Sequence, residues 1–131
     1  MTTLRVWNLL VVVWCAACGG SAIADKRLTS LDDSDIKELC ESLTALDGDP
    51  RRVECSGGFA IMAGDKTMDE CFAETLTLQW KFPLCEATVA DSEACTEAIA
   101  WVIDNGAACR GERPMATECA PLLTPECVGG K

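Results

Sequence analysis

Cysteine is the residue type whose number and spacing carry the most chemistry in this sequence. The chain has 131 residues and 10 cysteines, and eight of the cysteines follow residue 25 without any close pair. In an exported chain, an even number of cysteines with this spacing predicts four disulfides. The spacing alone does not determine which cysteines pair. The alternative is a four-thiolate zinc site assembled from distant, reduced cysteines. The eight predicted disulfide cysteines are Cys40, Cys55, Cys71, Cys85, Cys95, Cys109, Cys119 and Cys127.

The other two cysteines, Cys15 and Cys18, form a C-x-x-C pair. This spacing is typical of thioredoxin-like redox sites and of one half of a zinc site. A redox pair opens a helix after a strand, and a zinc knuckle needs a second pair at similar spacing. The sequence offers neither context, because both cysteines lie in an apolar leader. We therefore predict no bound metal and no cofactor.

The first 24 residues have the pattern of an export leader and tether, followed by one cysteine-rich domain at residues 25–131. Arg5 precedes an apolar run at residues 6–17, which only Asn8 interrupts. The run is too short for a membrane-spanning helix, which needs about 20 apolar residues. We interpret it as the hydrophobic region of an export signal.

Two cleavage sites at the end of this run predict different mature proteins. The sequence C-A-A-C at residues 15–18, followed by two glycines, resembles a bacterial lipobox, with Cys15 where an aliphatic residue is usual. Cleavage there makes Cys18 a lipid-modified N-terminus. The alternative is the small-x-small sequence A-I-A at residues 22–24, which releases a soluble chain. Because the apolar run stops at Cys18, we favour lipidation of Cys18.

The charge composition excludes several classes of function. The chain has 11 Lys and Arg residues against 21 Asp and Glu residues, a formal net charge of −10, and no histidine. Without histidine, the chain has no Ser-His-Asp or Cys-His catalysis and no histidine metal site. The acidic balance argues against a nucleic-acid partner, because binding to phosphates needs clustered cations.

Paired carboxylates are the remaining candidates for catalysis, since glycosidic cleavage needs an acid together with a base or nucleophile. Asp69 with Glu70 and Glu93 with Glu97 are such pairs, but 21 acidic residues produce pairs by composition alone. The D-x-D sequence at residues 47–49 lacks the glycine and the third oxygen ligand of a calcium loop. We therefore assign no catalytic residue.

Helical periodicity and capping signals predict a mainly α, disulfide-stapled domain of about three to four helices with irregular connectors. The first predicted helix covers residues 35–46, with Ser34 as its N-cap. Residues 53–62 are predicted to be irregular, because two adjacent glycines interrupt any helix. Capping boxes at residues 67–70 and 88–91 predict the starts of two further helices.

The remaining predictions concern helix ends and buried faces. The second helix is expected to end at Phe82-Pro83 and the third at Asn105-Gly106, with one helical turn at residues 116–120. The apolar residues of each helix are expected to lie near one face. The second helix has Cys71, Phe72, Leu76 and Trp80 near one face, so Cys71 is expected to be buried and bridged. The apolar stripe of the third helix consists of Ala94, Cys95, Ala98, Ile99, Trp101 and Val102, with Glu93, Glu97 and Asp104 facing largely elsewhere.

The C-terminal third of the sequence resembles a known group of proteins. The matching residues are A-T-V-A-D-S-E-A-C at 87–95, Cys109, T-E-C-A-P-L at 117–122 and Cys127. This pattern is similar to cysteine-rich predicted lipoproteins of myxobacterial type, which also carry a lipobox leader. The resemblance implies an envelope location and a shared disulfide framework, and it brings no activity with it.

Together these features predict a non-enzymatic lipoprotein of the bacterial cell envelope, an interaction or structural module that meets the membrane only through its lipid anchor. Its expected partner is an envelope or extracellular protein or polymer. One alternative is a secreted binding or carrier protein, and another is a small carboxylate-dependent hydrolase. A carrier needs an apolar cavity, for which the sequence offers Phe72, Leu76, Ile99 and Val102 as lining.

Overall fold

The fold is mainly helical, as the sequence predicts. The computed structural model describes residues 21–111 and 117–130. Two short antiparallel strands lie between the first two helices, and three short 3-10 segments lie outside the α-helices. The α-helices are α1 (Asp33–Asp47), α2 (Met68–Lys81), α3 (Val89–Asp104) and α4 (Pro125–Val128); the strands are β1 (Arg51–Glu54) and β2 (Ala60–Ala63); the 3-10 segments are Leu28–Ser30, Ala107–Arg110 and Thr117–Leu122.

Capping boxes begin all three long helices. Those of α2 at Thr67 and of α3 at Thr88 confirm the sequence predictions. The prediction of Ser34 as the N-cap of α1 is wrong, because the cap is Asp32, whose carboxylate accepts from the Asp35 amide at 2.8 Å. The Asp35 carboxylate accepts in return from the Asp32 amide, whereas a box begun at Ser34 would place a lysine at the reciprocal position.

The predicted irregular stretch at residues 53–62 is instead part of a β-hairpin. Antiparallel pairing runs from Arg51 opposite Ala63 to Glu54 opposite Ala60. Gly57 and Gly58 have φ angles of 105° and 84°, a region that side chains other than glycine rarely adopt. The glycines that break the helical pattern therefore form the turn of the hairpin, and each strand is too short for its alternation to stand out.

Helix α1 lies at the centre of the molecule, because both α2 and α3 pack against it. Its inner face supplies Ile36, Leu39 and Cys40, all fully buried. The chain ahead of α1 adds further apolar side chains to the same core. The buried cluster consists of Ile23, Leu28, Leu31, Ile36, Leu39, Cys40, Cys71, Cys85, Ala87, Val89 and Cys127.

Four disulfides link the elements around this core, and they pair all eight predicted cysteines. Cys40–Cys71 joins α1 to α2, and Cys55–Cys109 joins the hairpin to the 3-10 segment after α3. Cys85–Cys127 joins the α2–α3 connection to α4, and Cys95–Cys119 joins α3 to the last 3-10 segment. The bridged residues are 24 to 54 positions apart. In the chain-entropy model, each such bridge stabilises the fold by roughly 3–4 kcal/mol.

Arg51 connects the C-terminal ends of α1 and α3 through the start of the hairpin. Its Nε donates to the Asp104 carboxylate at 2.7 Å, and its Nη1 donates to the carbonyls of Asp47 and Asp49 at 2.7 and 3.1 Å. The neighbouring Arg52 is largely exposed and pairs with Glu54. Adjacent arginines thus differ in role, because one links three segments and the other lies on the surface.

We expect Arg51→Ala to lower the free energy of unfolding by about 1–3 kcal/mol, because three hydrogen bonds from a charged donor are lost. Arg52→Ala is the matched control and is expected to change it by less than about 0.5 kcal/mol. Urea denaturation with the disulfides intact measures both values. Equal effects of the two substitutions would contradict the role given to Arg51.

An ion pair holds the segment ahead of α1 in place. The Lys26 ammonium donates to both carboxylate oxygens of Asp35, at 2.8 and 2.9 Å. This hydrogen bond lowers the pKa of Asp35 below its ordinary 3.8, and the same bond raises the pKa of Lys26 above its ordinary 10.5. The pair therefore favours folding fully between these two ordinary values.

The stabilisation by this pair is expected to disappear at both pH extremes. It is lost as the pH falls through the lowered pKa of Asp35, and as it rises through the raised pKa of Lys26. Carboxyl NMR titration is expected to find the Asp35 midpoint below 3.8, and Lys26→Met is expected to move it upward. Lys37→Met, which replaces an exposed lysine of α1, serves as the control. An Asp35 midpoint unchanged by Lys26→Met would argue against the pair.

Candidate functional site

A groove of about 330 Å³ lies where α1, α2 and α3 meet. It is the candidate site because ligand pockets in proteins measure roughly 300–1,000 Å³ and are mainly apolar. Helix α1 contributes from one side, and α2 and α3 contribute from the others. The lining residues are Leu28, Leu39, Leu43, Thr44, Asp47, Gly64, Lys66, Cys71, Glu74, Thr75, Leu78, Ser92, Thr96, Ile99 and Leu122.

Four polar side chains of the groove, those of Thr44, Lys66, Glu74 and Thr75, are engaged with the protein itself. The hydroxyls of Thr44 and Thr75 donate to carbonyls of their own helices, at 2.7 and 2.9 Å. Lys66 and Glu74 form an ion pair at 2.6 Å. Leucines and one isoleucine make up much of the remaining lining. The groove therefore suits an apolar ligand better than a reaction that needs free acids or bases.

The lining differs from the one that the sequence offers for a carrier. Of the four residues named there, only Ile99 lines the groove. Phe72 is partly buried against the core, and Leu76 is exposed on α2. Spacing along two separate helices does not show that α1 forms the third side, so sequence analysis missed Leu39 and Leu43.

The predicted apolar faces of α2 and α3 are only partly buried, because each set of residues covers more of the helix surface than the packing against the rest of the domain does. Trp80 is 80% exposed and lies about 180° around α2 from the buried Cys71. Trp101 is 66% exposed and lies about 120° around α3 from Cys95. The sequence analysis places both tryptophans on the apolar faces of their helices, and the structure places them on the surface. Glu93, expected to face elsewhere, is only 8% exposed.

The predicted carboxylate pairs do not form an acid and base facing a common space. Glu70 accepts from the Thr67 backbone amide at 2.8 Å, and this bond lowers the pKa of Glu70 below its usual range. A general acid needs the opposite shift. Glu93 accepts from the Ser42 hydroxyl at 2.6 Å, while Glu97 is exposed. The contact of Glu70 with Thr67 caps a helix, and the contact of Glu93 with Ser42 joins α3 to α1.

Metal coordination finds little support in the described parts of the chain. The carbonyls at residues 47 and 49 face the guanidinium of Arg51, which places a positive charge where calcium would bind. All eight cysteines of the proposed zinc alternative are in disulfides, so they offer no thiolate. Within residues 21–111 and 117–130, no group of three or more Cys, Asp or Glu side chains converges on a metal position.

Two predicted features lie outside the described residues. The lipidation site Cys18 and its C-x-x-C partner Cys15 belong to residues 1–20, and the predicted helical turn begins at residue 116. The rest of that turn is present, as the 3-10 segment Thr117–Leu122. Among the helices of the described residues, none is long and apolar enough to cross a membrane.

The fold and the groove define a small, mainly helical, disulfide-stapled domain. Comparisons with protein-family models, with curated proteins and with solved structures found no match to the chain. The resemblance to myxobacterial cysteine-rich lipoproteins therefore stays a prediction from the sequence. The four disulfides fit an exported protein, because such bonds persist in oxidising compartments.

Proposed function

We propose that the protein is a non-enzymatic lipoprotein of the cell envelope, anchored through Cys18 and acting as an interaction or structural module. The observation that carries the proposal is the complete pairing of the eight domain cysteines. Four disulfides in so small a chain are typical of exported domains whose cores are modest. The leader and its lipobox-like end supply the expected route of export and the anchor.

Exposed aromatic and aliphatic side chains support an interaction function. Trp80, Leu84 and Trp101 are all more than 60% exposed. Tryptophan is enriched at protein interfaces, where it supplies much of the binding free energy. The formal charge of −10 favours a partner with a cationic surface and disfavours nucleic acids. The partner in this proposal is a protein or polymer of the envelope or the extracellular space.

The groove supports a second candidate, in which the domain carries a small apolar ligand such as a fatty acid. Its volume of about 330 Å³ lies at the lower end for ligand sites. Leu43, Leu78 and Ile99 would contact the ligand. Because leucines and an isoleucine form much of the lining, its affinity would come mainly from apolar contact.

The anchor is tested by expressing the full chain in a lipoprotein-competent bacterium and labelling it with a radioactive fatty acid. We expect the label on the wild type, partition into detergent, and no alkylation of the eight domain cysteines without reduction. Cys18→Ser is expected to abolish labelling. Cys15→Leu, which introduces the aliphatic residue usual at that position, is the matched control and is expected to keep it. Label that survives Cys18→Ser, or free thiols in the domain, would refute the proposal.

The carrier candidate is tested with a fluorescent fatty acid and a variant that fills the groove. Thr96→Trp places a large ring in the groove from α3, and we expect it to weaken binding by about tenfold or more, equivalent to about 1.4 kcal/mol. Glu97→Trp adds the same ring at the exposed neighbouring position and is expected to bind normally. Absence of binding by the wild type, or equal binding by both variants, would exclude this candidate.

A further inference from the structure

The segment just ahead of α1 is a packed part of the domain. Ile23 is 6% exposed and belongs to the same buried cluster as Leu28 and Leu31. Two turn hydrogen bonds shape the segment, from the Ala24 amide to the Ser21 carbonyl at 3.1 Å and from the Lys26 amide to the Ile23 carbonyl at 2.9 Å. Residues 21–24 therefore make specific contacts ahead of position 25.

The same segment caps the N-terminus of α3. The amides of Val89 and Ala90, in the first turn of the helix, have no acceptor within it. They donate to the carbonyls of Lys26 and Ala24, both at 2.9 Å. The Leu28 amide donates back to the chain just before α3, to the Ala87 carbonyl, also at 2.9 Å. The segment and the helix start therefore form a continuous hydrogen-bonded unit.

Cleavage after the A-I-A sequence at residues 22–24 would dismantle this unit. It would remove Ile23 from the core and the Ala24 carbonyl from the Ala90 amide. It would also create an ammonium group on Asp25 next to the start of α3, where the helix dipole is positive. All three changes disfavour the folded domain.

We infer that the mature chain retains residues 21–24, so that the leader is removed ahead of Ser21 and the A-I-A sequence is not a processing site. The packing of Ile23 and the capping of α3 carry this inference. Of the proposed function, it depends only on export of the chain and not on the lipid anchor. If Cys18 is also lipidated, two glycines separate the lipid from the first packed residue, a reach of about 10 Å.

A tether this short would limit how far the start of the domain lies from the membrane. The N-terminal end of α3 lies beside residues 24–26, whereas its C-terminal end meets Arg51 of the hairpin. The helix has 16 residues and is therefore about 24 Å long. The lipidated form would hold the N-terminal end of α3 close to the membrane, and the hairpin end would lie up to about 24 Å from that end.

The inference is tested by finding the N-terminus of the processed full chain, expressed with its leader. Mass spectrometry of the protein and of its N-terminal tryptic peptide is expected to find residues 21–24 in the product. A folded product that begins at Asp25 would overturn the inference. A product that begins between residues 18 and 21 without lipid would support it while refuting the proposed anchor, so the two failures are distinguishable.

Two substitutions in the full chain separate processing from folding. Ala22 is exposed, and Ala22→Gln removes a small residue that ordinary signal peptidase needs. We expect its N-terminus and yield to match the wild type, and accumulation of uncleaved precursor would overturn the inference. Ile23→Asp is expected to lower the melting temperature strongly and Ile23→Val only slightly. Equal melting temperatures for Ile23→Asp and wild type would also overturn it.

Discussion

Covalent linkage of the structural elements by four disulfides is the constraint on which this structure depends. The chain has few large apolar side chains, with aromatic residues at only 5%, so apolar burial alone leaves a domain of this size marginal. Cys40–Cys71 fixes α2 against α1, and Cys95–Cys119 fixes the C-terminal segment against α3. Because each bridge closes a long loop, each one removes many conformations from the unfolded chain.

This constraint also explains how the protein tolerates exposed tryptophans. In a domain held mainly by its core, Trp80 and Trp101 would be expected to add buried area. Here the bridges and the packing of Ile36, Leu39 and Val89 maintain the fold, so large side chains remain on the surface. The Cys40–Cys71 bridge also joins α1 to α2, two of the three helices that line the groove.

Local signals were predictable from the sequence, and features that depend on packing were not. Thr67 and Thr88 were identified as helix starts because a capping box involves only four consecutive residues. The hairpin was missed because each strand has only four residues, too few for an alternating pattern to stand out. The pairing of the cysteines could not be predicted from the sequence either, since loop lengths do not show which thiols meet. Of the groove, only Ile99 could be named in advance.

At residues 22–24, the local sequence pattern and the packing of the fold lead to different conclusions. Residues 22–24 satisfy a local pattern for peptidase cleavage, and sequence alone gives no reason to treat Ile23 as a core residue. The fold supplies that reason, because Ile23 fills the cluster and the Ala24 carbonyl accepts from the first turn of α3. Recognition by the peptidase depends on the unfolded precursor, whereas stability depends on the folded product. Because the fold requires residues 22–24, cleavage of the leader is compatible with folding where it occurs upstream of them, at the end of the apolar run.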